Sequence, residues 1–192
     1  MLKQELRQKY LSHRNAFSEN EKMEFEKLIF ENIQKIDFHK FSYVHIFLPI
    51  AKFNEINTFS AIDYLNDNYP HLKIVVPKLI KNDLKMNHIL YLGKDHLSIN
   101  SWGIPEPNNN DLVDPKRIDM IFVPLVIADK KGNRVGYGKG FYDYFLKEVS
   151  LECKKVGLSY FDPIDLITDR YINDVKLDIL ITPKEIIYFE KP

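Results

Sequence analysis

The sequence predicts an α/β protein with a largely parallel sheet and helices on both faces. The arrangement expected is Rossmann-like and three-layered, entered through an N-terminal helical hairpin. Three observations lead there. YVHIFLPI and KIVVPK are strand-type apolar runs separated by a helical stretch after Asn57-Thr58, about the length that a parallel strand-helix-strand unit needs. A third apolar run, IDMIFVPLVIAD, leads into a glycine-rich turn and the helical segment FYDYFLKEV. Before all of these stand two segments with helical spacing or a helix-start signal.

Leu2, Leu6 and Tyr10 recur four apart and share one helical face, leaving Lys3, Arg7 and Arg14 around its edge. Ser18 followed by Glu21 reads as a capping box opening a second helix that runs to about Ile36, because each side chain can satisfy a free N–H of the other. The short runs KKVGLSY and KLDILIT extend the sheet. WGIPEPNNNDLVDPKR, with three prolines and three consecutive asparagines, reads as a loop crossing the surface. No internal repeat or low-complexity tail is evident.

A chain of 192 residues, 45% apolar and 13% aromatic, can enclose one substantial core, so 1–192 is expected to be a single domain. Lys+Arg and Asp+Glu both number 27, so no global field steers the chain onto nucleic acid or an anionic membrane, and any anion site must be local. The lone Cys153 has no intramolecular partner, MLKQELRQKY lacks the apolar stretch of a secretory signal, and no apolar run approaches a membrane span. A soluble, cytoplasmic monomer is expected.

Asp129 to Asp143, DKKGNRVGYGKGFYD, carries the strongest chemical signal. Gly136, Gly138 and Gly140 alternate between a buried strand and a helix, where backbone N–H groups can approach phosphate closely and the helix start adds positive potential. Lys139 adds a mobile charge. The segment is not a Walker A loop, since Asn133 takes the first glycine position and Gly140 follows Lys139. A tight strand-to-helix turn is the plainer explanation of the same glycines. Asp143 falls in the first turn of the next helix, where a carboxylate suits the dipole, or it can bind Mg²⁺ beside a nucleotide; Asp174 is the candidate second contact. Lys3 and Arg7 can form a two-point anion clamp or a solvated face. Glu55, just after the first strand, sits where open α/β sheets place ligands, though it can equally be a helix-entry acid. Trp102 can cover a flat ring or pack on the sheet. His45 and His88 read as ordinary sheet or loop residues, and neither HExxH nor GxSxG occurs.

From the Lys3/Arg7 helix through NEINT, WGIPEP, DMIFVPLVIAD and GNRVGYGKGFYD to NDVKLDILIT, the chain resembles the 5-formyltetrahydrofolate cyclo-ligase family, most specifically in the glycine segment and its YD. The resemblance implies a cytoplasmic α/β enzyme that uses Mg²⁺ and ATP to turn 5-formyltetrahydrofolate into 5,10-methenyltetrahydrofolate, releasing ADP and phosphate. It implies ATP contacts by Lys3, Arg7 and the run Arg134, Val135, Gly136, Tyr137, Gly138, Lys139, Gly140, Phe141 and Tyr142. Within that run Lys139 and Arg134 would stabilise the moving phosphoryl group. It further implies metal contacts by Asp143 and Asp174, and folate contacts by Ile50 and Glu55, with Trp102 as a further covering residue. The chain departs from relatives that carry Arg at Tyr137 and Tyr at Phe141. A polyglutamylated folate would favour a basic rim, for which Lys78, Lys81 and Lys85 are candidates, though ordinary solvated charges are the plainer reading of all three. Another phosphate-binding α/β enzyme, and a non-catalytic nucleotide- or folate-binding protein, are the alternatives, since fold alone never sets the substrate.

Overall fold

The computed structural model describes residues 1–80, 83–100, 103–171 and 174–190. Trp102 and Lys81 lie outside the described residues. The chain opens with α1 (Lys3–Asn15) and α2 (Glu19–Ile33), the expected helical pair. At the start of α2 the Ser18 amide donates to Glu21 Oε2 at 2.8 Å, and the Glu21 amide donates back to Ser18 Oγ at 3.3 Å, which is the capping box read from the sequence. The helix stops three residues before Ile36 because the chain tightens: Lys35 and Ile36 donate to the carbonyls of Asn32 and Ile33, three residues back.

Next come β1 (Tyr43–Ile46), α3 (Phe59–Asn68), β2 (Lys73–Leu79), β3 (Met86–Leu90), β4 (Leu97–Ile99), β5 (Pro105–Pro107) and β6 (Met120–Pro124). They are followed by β7 (Ile127–Ala128), β8 (Arg134–Val135), α4 (Phe141–Phe145), β9 (Lys154–Leu158), β10 (Ile179–Ile181) and β11 (Ile186–Tyr188). Among the described residues the main sheet has the order β11-β10-β9-β6-β1-β2-β3. The five central strands are parallel and both edges, β3 and β11, are antiparallel.

The strand alternation sorts two cores. Val44, Ile46, Ile74, Val76, Met120 and Phe122 face α2 and α3, where Ile29, Ile33, Ile62 and Leu65 cover them. Val75, Ile121 and Val123 face the other way, beneath Phe145 of α4, Leu146 that caps it and the loop residues Val113, Ile118 and Leu177. Short α4 and loops therefore do on this face what full helices do on the other. Gly157 of β9 lies under that layer, where an added Cβ would stand 2.6 Å from side-chain carbons of Leu125 and Leu177.

Three local expectations change. IDMIFVPLVIAD is not one strand: Pro124 ends β6, having no N–H with which to extend the ladder, and the chain leaves the sheet to form the β7–β8 hairpin. WGIPEP is not wholly loop, since β5 pairs with β4 as a two-stranded ribbon whose outer edge tolerates proline. The FYDYFLKEV helix shortens to five residues because Lys147 and Glu148 donate to the third carbonyl back, closing a tight turn. The hairpin itself is tied at Asp129, whose Oδ1 accepts from the amides of Lys131 and Asn133, both at 2.9 Å. Gly132 makes that turn with φ 79°, and a Cβ there would stand 2.9 Å from the Leu177 carbonyl oxygen.

Candidate active site

The sheet reverses its direction of growth between β1 and β6: from β1 the chain moves outward to β2, and from β6 it moves the other way to β9. Connections leaving the carboxyl ends of these neighbours part there and leave a crevice, the usual ligand position in open α/β sheets. The segment after β1 supplies Ile50 and Glu55, and the segment after β6 supplies the glycine loop. A cleft of about 440 Å³ opens at this point, lined by the loop from Gly136 to Asp143, Arg134 and Pro124, with Lys3, Gln4 and Arg7 of α1 and Asp169, Tyr171 and Asp174 on the other wall.

The loop keeps its shape through glycine at two positions. Gly138 has φ 90° and Gly140 has φ 81°, a region open to glycine and costly for other residues. At Gly138 a Cβ would also stand 3.3 Å from Arg7 Cζ. Gly140 begins α4 in the left-handed region, so the backbone turns sharply into Phe141–Asp143. Because α4 has only five residues, the helix dipole invoked from sequence is a minor contributor, and the charge at the cleft comes from side chains.

α1 supplies much of that charge. Its Leu6 is fully buried against Ile127, Val135 and Ile167, which docks the helix on the β7–β8 hairpin with its cationic face toward the loop. Lys3 Nζ meets Asp174 Oδ2 at 2.5 Å and lies 4.7 Å over the Tyr171 ring, while Arg7 Nε donates to the Gly136 carbonyl at 2.7 Å. Arg14, placed at the helix edge by its sequence spacing, is instead 2% exposed. It donates from Nη1 to Tyr137 Oη at 2.8 Å and from Nη2 to the Leu125 carbonyl at 2.7 Å. Lys139 is exposed and makes no hydrogen bond or ion pair among the described residues.

Arg134 is buried at the cleft floor. It donates to the Val175 carbonyl and, at 2.6 Å, to Asp143 Oδ1. Burial lowers its pKa, opposed by the charges of Asp143 and Asp174, so both carboxylates act on one guanidinium. Asp143 Oδ2 and Asp174 Oδ1 accept no hydrogen bond among the described residues. No group of three or more metal-binding side chains forms among the described residues. Two carboxylates nevertheless fit Mg²⁺, which keeps water and takes phosphate oxygens for its remaining positions.

Glu55 lies on the other side of Tyr137, 6% exposed, with its Oε2 accepting from the Ile50 amide at 2.7 Å. Burial raises its pKa, while hydrogen bonds from the Tyr137 hydroxyl and the Ile50 amide and the charge of Arg14 pull it down. The preceding Asn54 takes φ 47° and is held by Asn15 at 3.2 Å, and Phe53 stacks on Tyr137 with centroids 5.0 Å apart. Tyr142 lines the cleft with a buried hydroxyl that lacks a partner among the described residues. Its pKa is raised well above the usual phenol range, by burial and then by Glu55, with Arg134 opposing. The phenol thus senses both halves of the site.

The structure brings Lys3, Arg7, Arg134, Gly136 to Asp143 and Asp174 to one cleft, and sets Ile50 and Glu55 beside it through Tyr137. Val135 is buried behind the loop against Leu6 rather than exposed to the cleft. Lys78 and Lys85 do not line it: Lys78 is bound to the Asn109 carbonyl at 3.1 Å, and Lys85 borders a separate cavity beside His88. Sequence reasoning missed Asp169, Tyr171 and the buried role of Arg14. The helical spacing of Lys3, Arg7 and Arg14, which puts all three on one face, was the available signal for the last of these.

The family model described as "5-formyltetrahydrofolate cyclo-ligase family" matches residues 1–183. Among similar proteins, a probable 5-formyltetrahydrofolate cyclo-ligase of Schizosaccharomyces pombe is 32% identical over 130 residues, which are 59% of this chain and 63% of that one. The mitochondrial 5-formyltetrahydrofolate cyclo-ligase of Arabidopsis thaliana is 28% identical over 166 residues, covering 73% of this chain and 59% of its own length. The matched stretch is therefore under two thirds of either relative. Among solved structures, the 5,10-methenyltetrahydrofolate synthetase of Aquifex aeolicus superposes with a TM-score of 0.83 at 29% identity, covering 100% of this chain and 95% of that one. That of Mycoplasma pneumoniae gives 0.76 at 27%, covering 95% and 99%.

Proposed function

The chain belongs to the 5-formyltetrahydrofolate cyclo-ligase family, and on that premise we propose that it converts 5-formyltetrahydrofolate and ATP to 5,10-methenyltetrahydrofolate, ADP and phosphate, with Mg²⁺. The observation that carries this reading is the joined site: a glycine-loop cleft rich in cations, with two carboxylates, sharing Tyr137 with the buried Glu55 that follows β1. A phosphate-binding enzyme with an unrelated substrate would not need the second half.

A formyl group on N5 is an amide, and its oxygen is a poor leaving group. In the proposed course the formyl oxygen attacks the γ-phosphorus and ADP departs. N10 then closes onto the activated carbon, and the C–O bond breaks with loss of phosphate as N10 gives up its proton. Little covalent work falls to the protein, so positioning and charge stabilisation dominate. Lys139, exposed and without a partner among the described residues, and Arg134, fixed by Asp143, would meet the γ-phosphoryl oxygens. Lys3 and Arg7 would hold the rest of the phosphate chain, with Lys3 exchanging Asp174 for phosphate. Asp143 and Asp174 would hold Mg²⁺, which supplies charge neutralisation at the phosphates when bound. Glu55 would accept pterin N–H groups and orient the ring. We also take the chain to act as a single-domain monomer. No helix among the described residues is long and apolar enough to cross a membrane.

The test is the rise of the methenyl product's absorbance when the protein meets 5-formyltetrahydrofolate, ATP and Mg²⁺, with each omitted in turn. An ATP- and Mg²⁺-dependent rise is expected. Binding of ATP without any rise would instead favour a different substrate, and binding of both ligands without ADP release would favour a non-catalytic role.

A further inference from the structure

Arg14 has no place in the catalytic proposal above, yet it is among the largest fully buried side chains of the molecule. A buried guanidinium is retained at a cost and must be paired or hydrogen-bonded. Here no carboxylate touches it directly. It donates to the Leu125 carbonyl, just after β6, and to Tyr137 Oη, and its plane lies 5.6 Å from the Tyr160 ring centre. The charged groups near it reach it through phenols: Glu55 through Tyr137, and Glu26 of α2 through Tyr160, whose hydroxyl donates to Glu26 Oε1 at 2.7 Å.

The direction of these bonds matters. Arginine can only donate, so Tyr137 Oη must accept from it and its own proton is released to point at Glu55. Glu55 is buried and would neutralise without compensation. The groups facing it are the Tyr137 hydroxyl from the glycine loop, the Ile50 amide, the Arg14 charge from α1, and the Tyr142 phenol from α4.

We propose that Arg14 is a positioning residue for the pterin half of the site: anchored on Leu125, it commits the Tyr137 proton to Glu55 and keeps that carboxylate charged and aimed to accept pterin N–H groups. The relay also ties α1, which carries Lys3 and Arg7 at the cleft, to Glu55. This inference rests on the proposed cyclo-ligase reading.

The experiment compares wild type, Arg14→Met, Arg14→Lys and Tyr137→Phe in the methenyl assay, varying folate and ATP separately at several pH values. For folded Arg14→Met the KM for 5-formyltetrahydrofolate should rise roughly 10- to 100-fold, the loss expected for a charge-assisted hydrogen bond, with the KM for ATP little changed. Its folate KM should also worsen more steeply than the wild type's as pH falls from about 8 to about 6, because Glu55 without the Arg14 charge takes up its proton at higher pH. Arg14→Lys, which keeps the charge, should restore the wild-type profile while recovering only part of the KM. Should Arg14→Met not fold, Tyr137→Phe carries the test, since it cuts the relay and leaves Arg14 on Leu125. A folded variant with wild-type folate KM and pH profile would overturn the proposal, and so would equal weakening of ATP and folate. Wild-type protein that makes no methenyl product would instead overturn the cyclo-ligase reading itself.

Discussion

Lys139 and Gly138 separate two kinds of residue in one loop. Lys139 is exposed and unpaired among the described residues, so replacing it leaves the fold intact while removing a charge that the proposed reaction places at the phosphoryl group. Lys139→Ala is expected to melt like wild type and to lose roughly 100- to 1,000-fold in kcat, the range for removing one preorganised electrostatic contact. A variant that turns over normally would end its catalytic assignment. Gly138 acts through backbone instead. At φ 90°, with Arg7 3.3 Å from the added methyl, Gly138→Ala should cost about 1–2 kcal/mol in conformational strain and raise the KM for ATP by displacing Arg7. Chemical denaturation and ATP titration read the two effects separately.

At the scale of elements, α4 rests on an unusual support. His45 of β1 and His88 of β3 are buried with both ring nitrogens unpartnered among the described residues, and Phe145 of α4 stacks on His88 with centroids 3.9 Å apart. Burial lowers the pKa of His88 to about 4 and that of His45 well below its usual value, with His88 adding to the latter. Both rings are therefore neutral in the fold and take up protons near pH 6.5 when unfolded. Stability is fully present above about pH 6.5 and falls as the pH drops toward about 4, with a slope of up to about 1.4 kcal/mol per pH unit for each histidine. Urea melts across that window should show the loss, and His88→Leu should flatten part of it. A His88→Leu variant with the wild-type slope would remove this residue from the account. Gly157 makes a second element-scale case. Gly157→Ala would force a methyl against Leu125 and Leu177 at 2.6 Å, and should destabilise by about 1–3 kcal/mol, measurable in the same melts.

For the molecule as a whole, the prediction concerns coupling between halves. α1 touches the cleft through Lys3 and Arg7 and the Tyr137–Glu55 pair through Arg14, so on the proposed reading ATP with Mg²⁺ should tighten folate binding, and folate should tighten ATP binding by the same factor. Isothermal titration in both orders tests this reciprocity. Removing Mg²⁺ with a chelator should abolish turnover and its return should restore it, while Asp174→Asn should raise the Mg²⁺ concentration needed.

Much of the fold was legible because it rests on local signals. The Ser18–Glu21 box, the strand-helix-strand length and the alternation within β1 and β6 depend on residues near one another in sequence. The glycines, Lys139 and Asp143 form one contiguous segment, so their meeting at one cleft wall was readable as well. The antiparallel edges β3 and β11, the exit of β7 from the sheet and the shortness of α4 were not, because each is set by pairing or packing with distant residues. The same holds for Lys3 on Asp174, 171 residues away, and for Arg14 on Tyr137, 123 residues away. Periodicity, capping and glycine geometry act locally, so the order of the amino acids sets the α/β class, the N-terminal helical pair and the glycine-rich turn after β6. That a surface-patterned arginine is buried, and that one phenol joins the two halves of the site, emerges with the folded chain. Burial and charge pairing are properties of what the folded chain brings together.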